Sequence, residues 1–138
     1  MVMNTGQRTA FAVGTRVSVQ TQRLTLILAM SLLGVYVWMS GRPEAAGLIP
    51  SPWDKFAHIA WYAVLAGLLL AGLGRKRWPW VLGGALLLAG WDEWHQFSLP
   101  GRQPGMDDWL ADATGVGLGL WLSGWGLRRV WAQLHGRR

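Results

Sequence analysis

The chain has 138 residues, of which 51% are hydrophobic and only 14% are charged. Because a soluble domain carries charge at about a quarter of its positions, this composition excludes an ordinary soluble domain and indicates a membrane protein. The net charge of +6 does not indicate nucleic-acid binding, because the basic residues form small clusters between long apolar runs. With no cysteine in the chain, disulfides and thiolate metal sites are excluded as well.

The first two predicted transmembrane helices come from charge-free runs. A helix needs about 20 mostly apolar residues to cross the hydrocarbon core. The runs Leu24 to Gly41 and Phe56 to Gly74 are each long enough. The polar, threonine-rich residues 1–20 are interpreted as a loose cytoplasmic tail.

The last two predicted helices include acidic residues. The run Trp78 to Trp91 is too short to span unless the helix continues to Phe97, and the run Ala113 to Leu127 needs the residues from Trp109 added at its start. The sequence therefore predicts an all-α fold, an integral membrane four-helix bundle over residues 21–131, followed by a basic cytoplasmic tail at 132–138.

The basic residues indicate that both termini lie in the cytoplasm. Lys and Arg concentrate in the cytoplasmic segments of membrane proteins, and ten of the 13 basic residues here fall in segments that four spans place on one side. Those ten are Arg8, Arg16, Arg23, Arg75, Lys76, Arg77, Arg128, Arg129, Arg137 and Arg138. All seven acidic residues then fall in the outer half, which a polar site on the outer face would explain.

Polar side chains recur at helical spacing near the predicted outer end of three helices, and polar groups at membrane depth usually face one another. They are Asp54, His58 and Tyr62 on the second helix, Asp92, Glu93 and Gln96 on the third, and Asp108 and Asp112 on the fourth. Gly115 and Gly119 continue the last stripe, so that face is expected to pack inward.

Each of these features also has a simpler interpretation. His58 or His95 alone is compatible with an ordinary interfacial histidine, and Asp92 and Glu93 with a solvated helix end. What favours one shared site is that ionisable groups from three helices converge at one depth.

The same residues resemble the VanZ-like family, integral membrane proteins named for a protein that confers teicoplanin resistance. The matching motifs are Asp54-Lys55-x-x-His58-x-x-x-Tyr62, Glu93-x-x-Gln96, Arg102 in a Pro-Gly-Arg turn, and Asp108 at the start of the fourth span. The resemblance covers residues 24–127. This chain has Asp112 where many members have asparagine.

The resemblance implies an effect at the envelope of a bacterial cell, from the cytoplasmic membrane. Our first hypothesis is an outer-face polar pocket that recognises a lipid-linked or lipophilic molecule, such as a cell-wall precursor or a lipoglycopeptide, among membrane lipids. The expected binding residues are Lys55, Tyr62, Gln96, Arg102 and Asp112. Lys55 and Arg102 would bind a phosphate or carboxylate, while Trp53, Trp61 and Trp94 would contact an apolar chain.

Two alternatives remain open. The first is a membrane-embedded hydrolase or transferase acting on a lipid headgroup, with Asp54 orienting His58 as general acid or base. Glu93 and Asp108 would supply a second proton carrier or bind a divalent cation, although no dense metal-ligand motif such as H-E-x-x-H occurs and no metal ligand or cofactor is assigned. The second alternative is a small structural membrane scaffold.

Overall fold

The structure is a computed structural model that describes residues 19–42, 48–99 and 105–126. Within these ranges the chain forms four α-helices and no strand, which confirms the predicted all-helical class. The helices are α1 (Val19–Ser40), α2 (Trp53–Leu73), α3 (Trp78–Gln96) and α4 (Met106–Trp121). The predicted tails lie outside the described residues, except that α1 already begins at Val19.

Three of the helices begin before the charge-free runs that predicted them. α2 includes Asp54 and Lys55, and the first turn of α4 carries Asp107 and Asp108. Carboxylates are favourable in a first helical turn because the unpaired N–H groups there carry partial positive charge. The ionisable residues therefore lie on the helices rather than in the loops.

A short basic turn joins α2 to α3. The chain leaves α2 through Gly74 at φ +88°, a conformation that side chains disfavour, and its N–H donates to Leu70 O at 2.9 Å. A turn of 3₁₀ helix, Arg75–Arg77, follows. Pro79 then occupies the first turn of α3, as expected from its missing N–H.

α2 is the central helix, in contact with each of the other three. The core consists of small and medium-sized apolar side chains that repeat every four residues on α2 and α3, which gives each helix one inward stripe. Its buried members are Tyr62, Ala66 and Leu70 on α2, Val81, Ala85 and Ala89 on α3, and Val116 on α4.

α2 and α4 approach so closely that their glycines touch the opposite backbone. A Cβ atom added to Gly115 would meet Ile59 O and Tyr62 Cβ, and one added to Gly119 would meet Ala63 O. Both glycines are buried. Beyond Trp121 the helix widens into a π-turn at Leu122–Gly126, where the Ser123 hydroxyl donates to Gly67 O at 3.1 Å. The stripe predicted from the glycine spacing does face inward.

Two of the described helices, α1 and α2, are long and apolar enough to cross a membrane by length and composition. α3 and α4 do not meet the same criteria in the part of the chain that is described, and both carry acidic residues.

Candidate ligand-binding site

One end of the bundle collects the acidic residues and is called the polar end. It is formed by the end of α1 at Ser40, the start of α2 at Trp53, the end of α3 at Gln96 and the start of α4 at Met106. The basic turn Arg75–Arg77 lies at the opposite end of α2 and α3. All six acidic residues of the described chain belong to the polar end. Helix packing there brings several of them into contact with polar side chains of neighbouring helices.

Lys55 of α2 contacts three carboxylates, and two of them, Asp107 and Asp108, belong to α4. Its ammonium lies 3.1 Å from Asp54 and 2.8 Å from Asp107, and it also pairs with Asp108. The Lys55 side chain is 26% exposed and that of Asp108 13%, so this cluster is only partly screened by solvent. Lys55 was predicted to bind an anionic ligand, but here three carboxylates already surround it.

His58 pairs across the same helix interface with Asp112. Nδ1 of His58 lies 2.7 Å from Oδ1 of Asp112, which is fully buried. The expectation that Asp54 orients His58 is wrong in this structure. Asp54 contacts Lys55 in the first turn of α2, whereas Gly115 on α4 lets the two helices approach until Asp112 reaches the ring.

Asp92 forms a second buried contact, between α1 and α3. Its Oδ2 accepts hydrogen bonds from the Tyr36 hydroxyl and from Gln96 Nε2, each at 2.8 Å. The Tyr36 ring stacks on Trp61 at 5.1 Å and meets the edge of Tyr62 at 5.9 Å. Tyr36 was missed from the sequence because it stands in an apolar run, with no ionisable neighbour at helical spacing.

Several buried polar atoms of the polar end have no hydrogen-bond partner among the described residues. They are Asp54 Oδ1, Tyr62 Oη, Asp92 Oδ1, Glu93 Oε1, His95 Nδ1 and Asp112 Oδ2. The carboxylates of Asp92, Asp108 and Asp112 are near enough to Glu93 to interact with it electrostatically. The polar end therefore has acceptor capacity to spare. Even so, no three His, Asp or Glu side chains within the described ranges are placed to hold a metal ion.

A cavity of about 430 Å³ opens beside this cluster, between α3 and the start of α4. The described part of its wall is mainly aromatic and apolar, with one carboxylate. The lining residues are Gly90, Glu93, Trp94, Phe97, Gly105, Met106 and Trp109. Glu93 is held in place by the Gly105 N–H, which donates to Oε2 at 2.9 Å.

The predicted site residues are thus divided among neighbouring places in the polar end. Glu93 and Trp94 line the cavity, while the other described candidates lie in the contacts beside it. Trp53 packs near Phe56 instead, at 5.7 Å between ring centroids. Arg102 lies outside the described residues, so its predicted role in anion binding stays a prediction.

Comparison with known proteins identifies the family of the chain. A sequence model of the VanZ/LLP1 family matches residues 5–127, a range that includes all four helices and every residue of the polar end. No curated protein and no solved structure matches the chain.

Proposed function

Since the chain belongs to the VanZ/LLP1 family, we propose that it is a multi-pass protein of the bacterial cytoplasmic membrane that binds a lipophilic molecule in the cavity beside Glu93. The observation that carries this proposal is the cavity itself, whose described lining combines aromatic side chains with one charged group, Glu93. Apolar walls with a few fixed polar groups are typical of small-molecule sites.

The exposure of α1 and α2 supports the membrane location. Only 11% of the most apolar window of α1 and 28% of that of α2 is buried within the protein. Leu24 and Ile27 of α1 are 60% and 63% exposed, respectively. A core helix of a soluble protein would bury such side chains, whereas lipid accepts them without cost.

The two ends of the bundle support one membrane orientation. The basic turn Arg75–Arg77 belongs on the cytoplasmic side and the polar end on the outer side, with both termini inside. We expect single cysteines in place of Glu44 or Gln103 to react with an impermeant thiol reagent added to intact cells, and a cysteine at Lys76 to stay unlabelled. The chain has no cysteine of its own, so the background is low. Labelling of the Lys76 variant in sealed cells would contradict this topology.

Three of the side chains that line the cavity are largely exposed. Trp94 and Phe97 are each 75% exposed and Met106 is 72% exposed, although all three line the cavity. In a membrane these side chains would meet lipid or the interface, where aromatic residues are favourable. A lipophilic molecule could therefore enter sideways from the outer leaflet.

A larger side chain in place of Gly90 is expected to fill part of the cavity. A Cβ atom at Gly90 would lie 3.8 Å from Trp109 Nε1, an ordinary contact, so a leucine there would extend into the cavity space. We expect Gly90→Leu to weaken saturable binding of radiolabelled dodecanol to the protein in nanodiscs by about tenfold. Binding to empty nanodiscs supplies the correction for partitioning.

The matched control is Gly84→Leu on the same helix, where an added Cβ meets nothing within 4 Å. That variant should bind the probe like the original protein. Equal binding by the Gly90 and Gly84 variants would show that the cavity is not the binding site. A chain that bound no probe saturably would instead favour a structural scaffold.

A second candidate function, acid or base catalysis at a lipid headgroup, is favoured by the pair His58 and Asp112. A buried carboxylate 2.7 Å from a ring nitrogen is the arrangement that orients a catalytic histidine. Lipid and cell-wall-precursor profiles of cells with and without the protein separate the candidates. A recognition protein leaves the headgroups unchanged, whereas an enzyme alters one of them.

A further inference from the structure

The negative charge of Glu93 in the cavity wall indicates which lipophilic molecules the cavity would bind. Of the described residues that line the cavity, Glu93 is the one with a charged side chain. No cationic side chain within the described ranges forms a salt bridge with it, because the ammonium of Lys55 is held by Asp54, Asp107 and Asp108. Among the described residues, no cation neutralises the carboxylate of Glu93.

The wider surroundings of the cavity are also acidic. The polar end carries six described carboxylates and, with histidines counted as neutral, two cations, Lys55 and Arg42. Arg42 lies over the ring of Trp38, 3.8 Å from its centroid. Glu44 and Arg102, in the predicted outer loops, add one charge of each sign. Like charges repel more strongly near low-dielectric lipid, so an anionic ligand is disfavoured here and a cation favoured.

The remaining features of the cavity suit a cation that carries an apolar chain. Trp94, Phe97 and Trp109 supply aromatic rings, the side chains that bind ammonium groups in water-poor sites. Glu93 has one oxygen fixed by the Gly105 N–H and a second oxygen with no partner among the described residues. A cation in the cavity would lie beside this negative charge and would be attracted to it.

We propose that this cavity selects a lipophilic cation, with the ammonium group next to Glu93 and the apolar chain leaving past Trp94 and Phe97 toward lipid. This inference rests on the proposed function. It replaces the phosphate or carboxylate expected at Lys55 and Arg102 with a ligand of opposite charge.

The test compares three probes of equal chain length on the full-length protein in nanodiscs of zwitterionic lipid: dodecyltrimethylammonium, dodecanol and dodecyl phosphate. We expect the cation to bind about tenfold more tightly than dodecanol, and dodecyl phosphate more weakly than either. Glu93→Gln should abolish the preference for the cation while dodecanol binding persists, which also shows that the variant is folded. Glu44→Gln makes the same chemical change in a predicted loop and should leave the preference intact.

The possible failures are distinct. Equal binding of the cation and dodecanol, or tighter binding of dodecyl phosphate, would overturn the cation inference and leave the lipophilic cavity standing. A preference that survives Glu93→Gln would overturn the assignment of Glu93 as the counter-charge. If none of the three probes binds saturably, the proposed function fails together with the inference.

Discussion

Replacing either Gly115 or Gly119 by alanine is expected to lower the free energy of unfolding by about 1–3 kcal/mol. We expect both losses to lie near the upper end of that range. The added methyl groups would meet backbone atoms of α2, Ile59 O at the first site and Ala63 O at the second. A backbone carbonyl cannot rotate away as a flexible side chain can. The two helices must therefore separate, and the pair His58 and Asp112 would lengthen with them.

The control for this experiment lies between the two glycines. An alanine at Gly117 meets nothing within 4 Å, so Gly117→Ala changes helix propensity in the same way without the collision. Unfolding of the purified protein by a denaturing detergent, followed by circular dichroism, measures the difference. If the Gly115 and Gly119 variants unfolded at the same detergent fraction as the Gly117 variant, the close approach of α2 and α4 would be disproved.

This contact between helices is the part of the tertiary structure that the sequence predicted best. The spacing of Asp108, Asp112, Gly115 and Gly119 places all four on one helical stripe, and the structure buries all four. The reason is geometric: residues four apart share a face whatever the rest of the chain does. For the same reason, Asp92 and Gln96 were expected on one face, and they are hydrogen-bonded.

Partners on different helices could not be predicted in this way. His58 is one turn from Asp54 on α2, yet it pairs with Asp112 on α4. Which carboxylate reaches the ring depends on how far the helices slide and rotate against each other, and sequence spacing does not contain that information. The cavity beside Glu93 depends in the same way on the angle between α3 and the start of α4, so its residues were only partly anticipated.

The predicted starts of two helices were wrong for a related reason. Counting charge-free residues identified the helices but placed the starts of α2 and α4 too late, since Asp54, Lys55, Asp107 and Asp108 are helical. The spacing of Asp54 with His58, and of Asp108 with Asp112, had already assigned both aspartates to these helices. A run without charge measures the apolar part of a helix, not its hydrogen-bonded length. Near the interface a helix continues into charged residues that can pair with one another, as these four do.

Removing the cation at the centre of that group is the second change with a large expected effect. Lys55→Ala leaves Asp54, Asp107 and Asp108 without their shared counter-charge. We expect the free energy of unfolding to fall by about 1–3 kcal/mol. Breaking a fully buried pair costs about 3–5 kcal/mol, and the loss here is smaller because the Lys55 side chain is 26% exposed. Lys76→Ala removes a lysine from the exposed basic turn and should cost much less.

A second substitution decides whether repulsion causes that loss. Asp108 is the least exposed carboxylate of the three, with a side chain 13% exposed against 27% for Asp54 and 69% for Asp107. The negative charge of Asp108 is therefore the most destabilising of the three when Lys55 is absent. Asp108→Asn alone should be destabilising because it removes an ion pair, whereas in the Lys55→Ala background it should restore part of the lost stability by removing an unbalanced buried charge. Such non-additivity is expected of residues in direct contact. Losses that simply add in the double variant, measured by the same detergent unfolding, would mean that Lys55 stabilises the polar end through packing of its aliphatic chain and not through its charge.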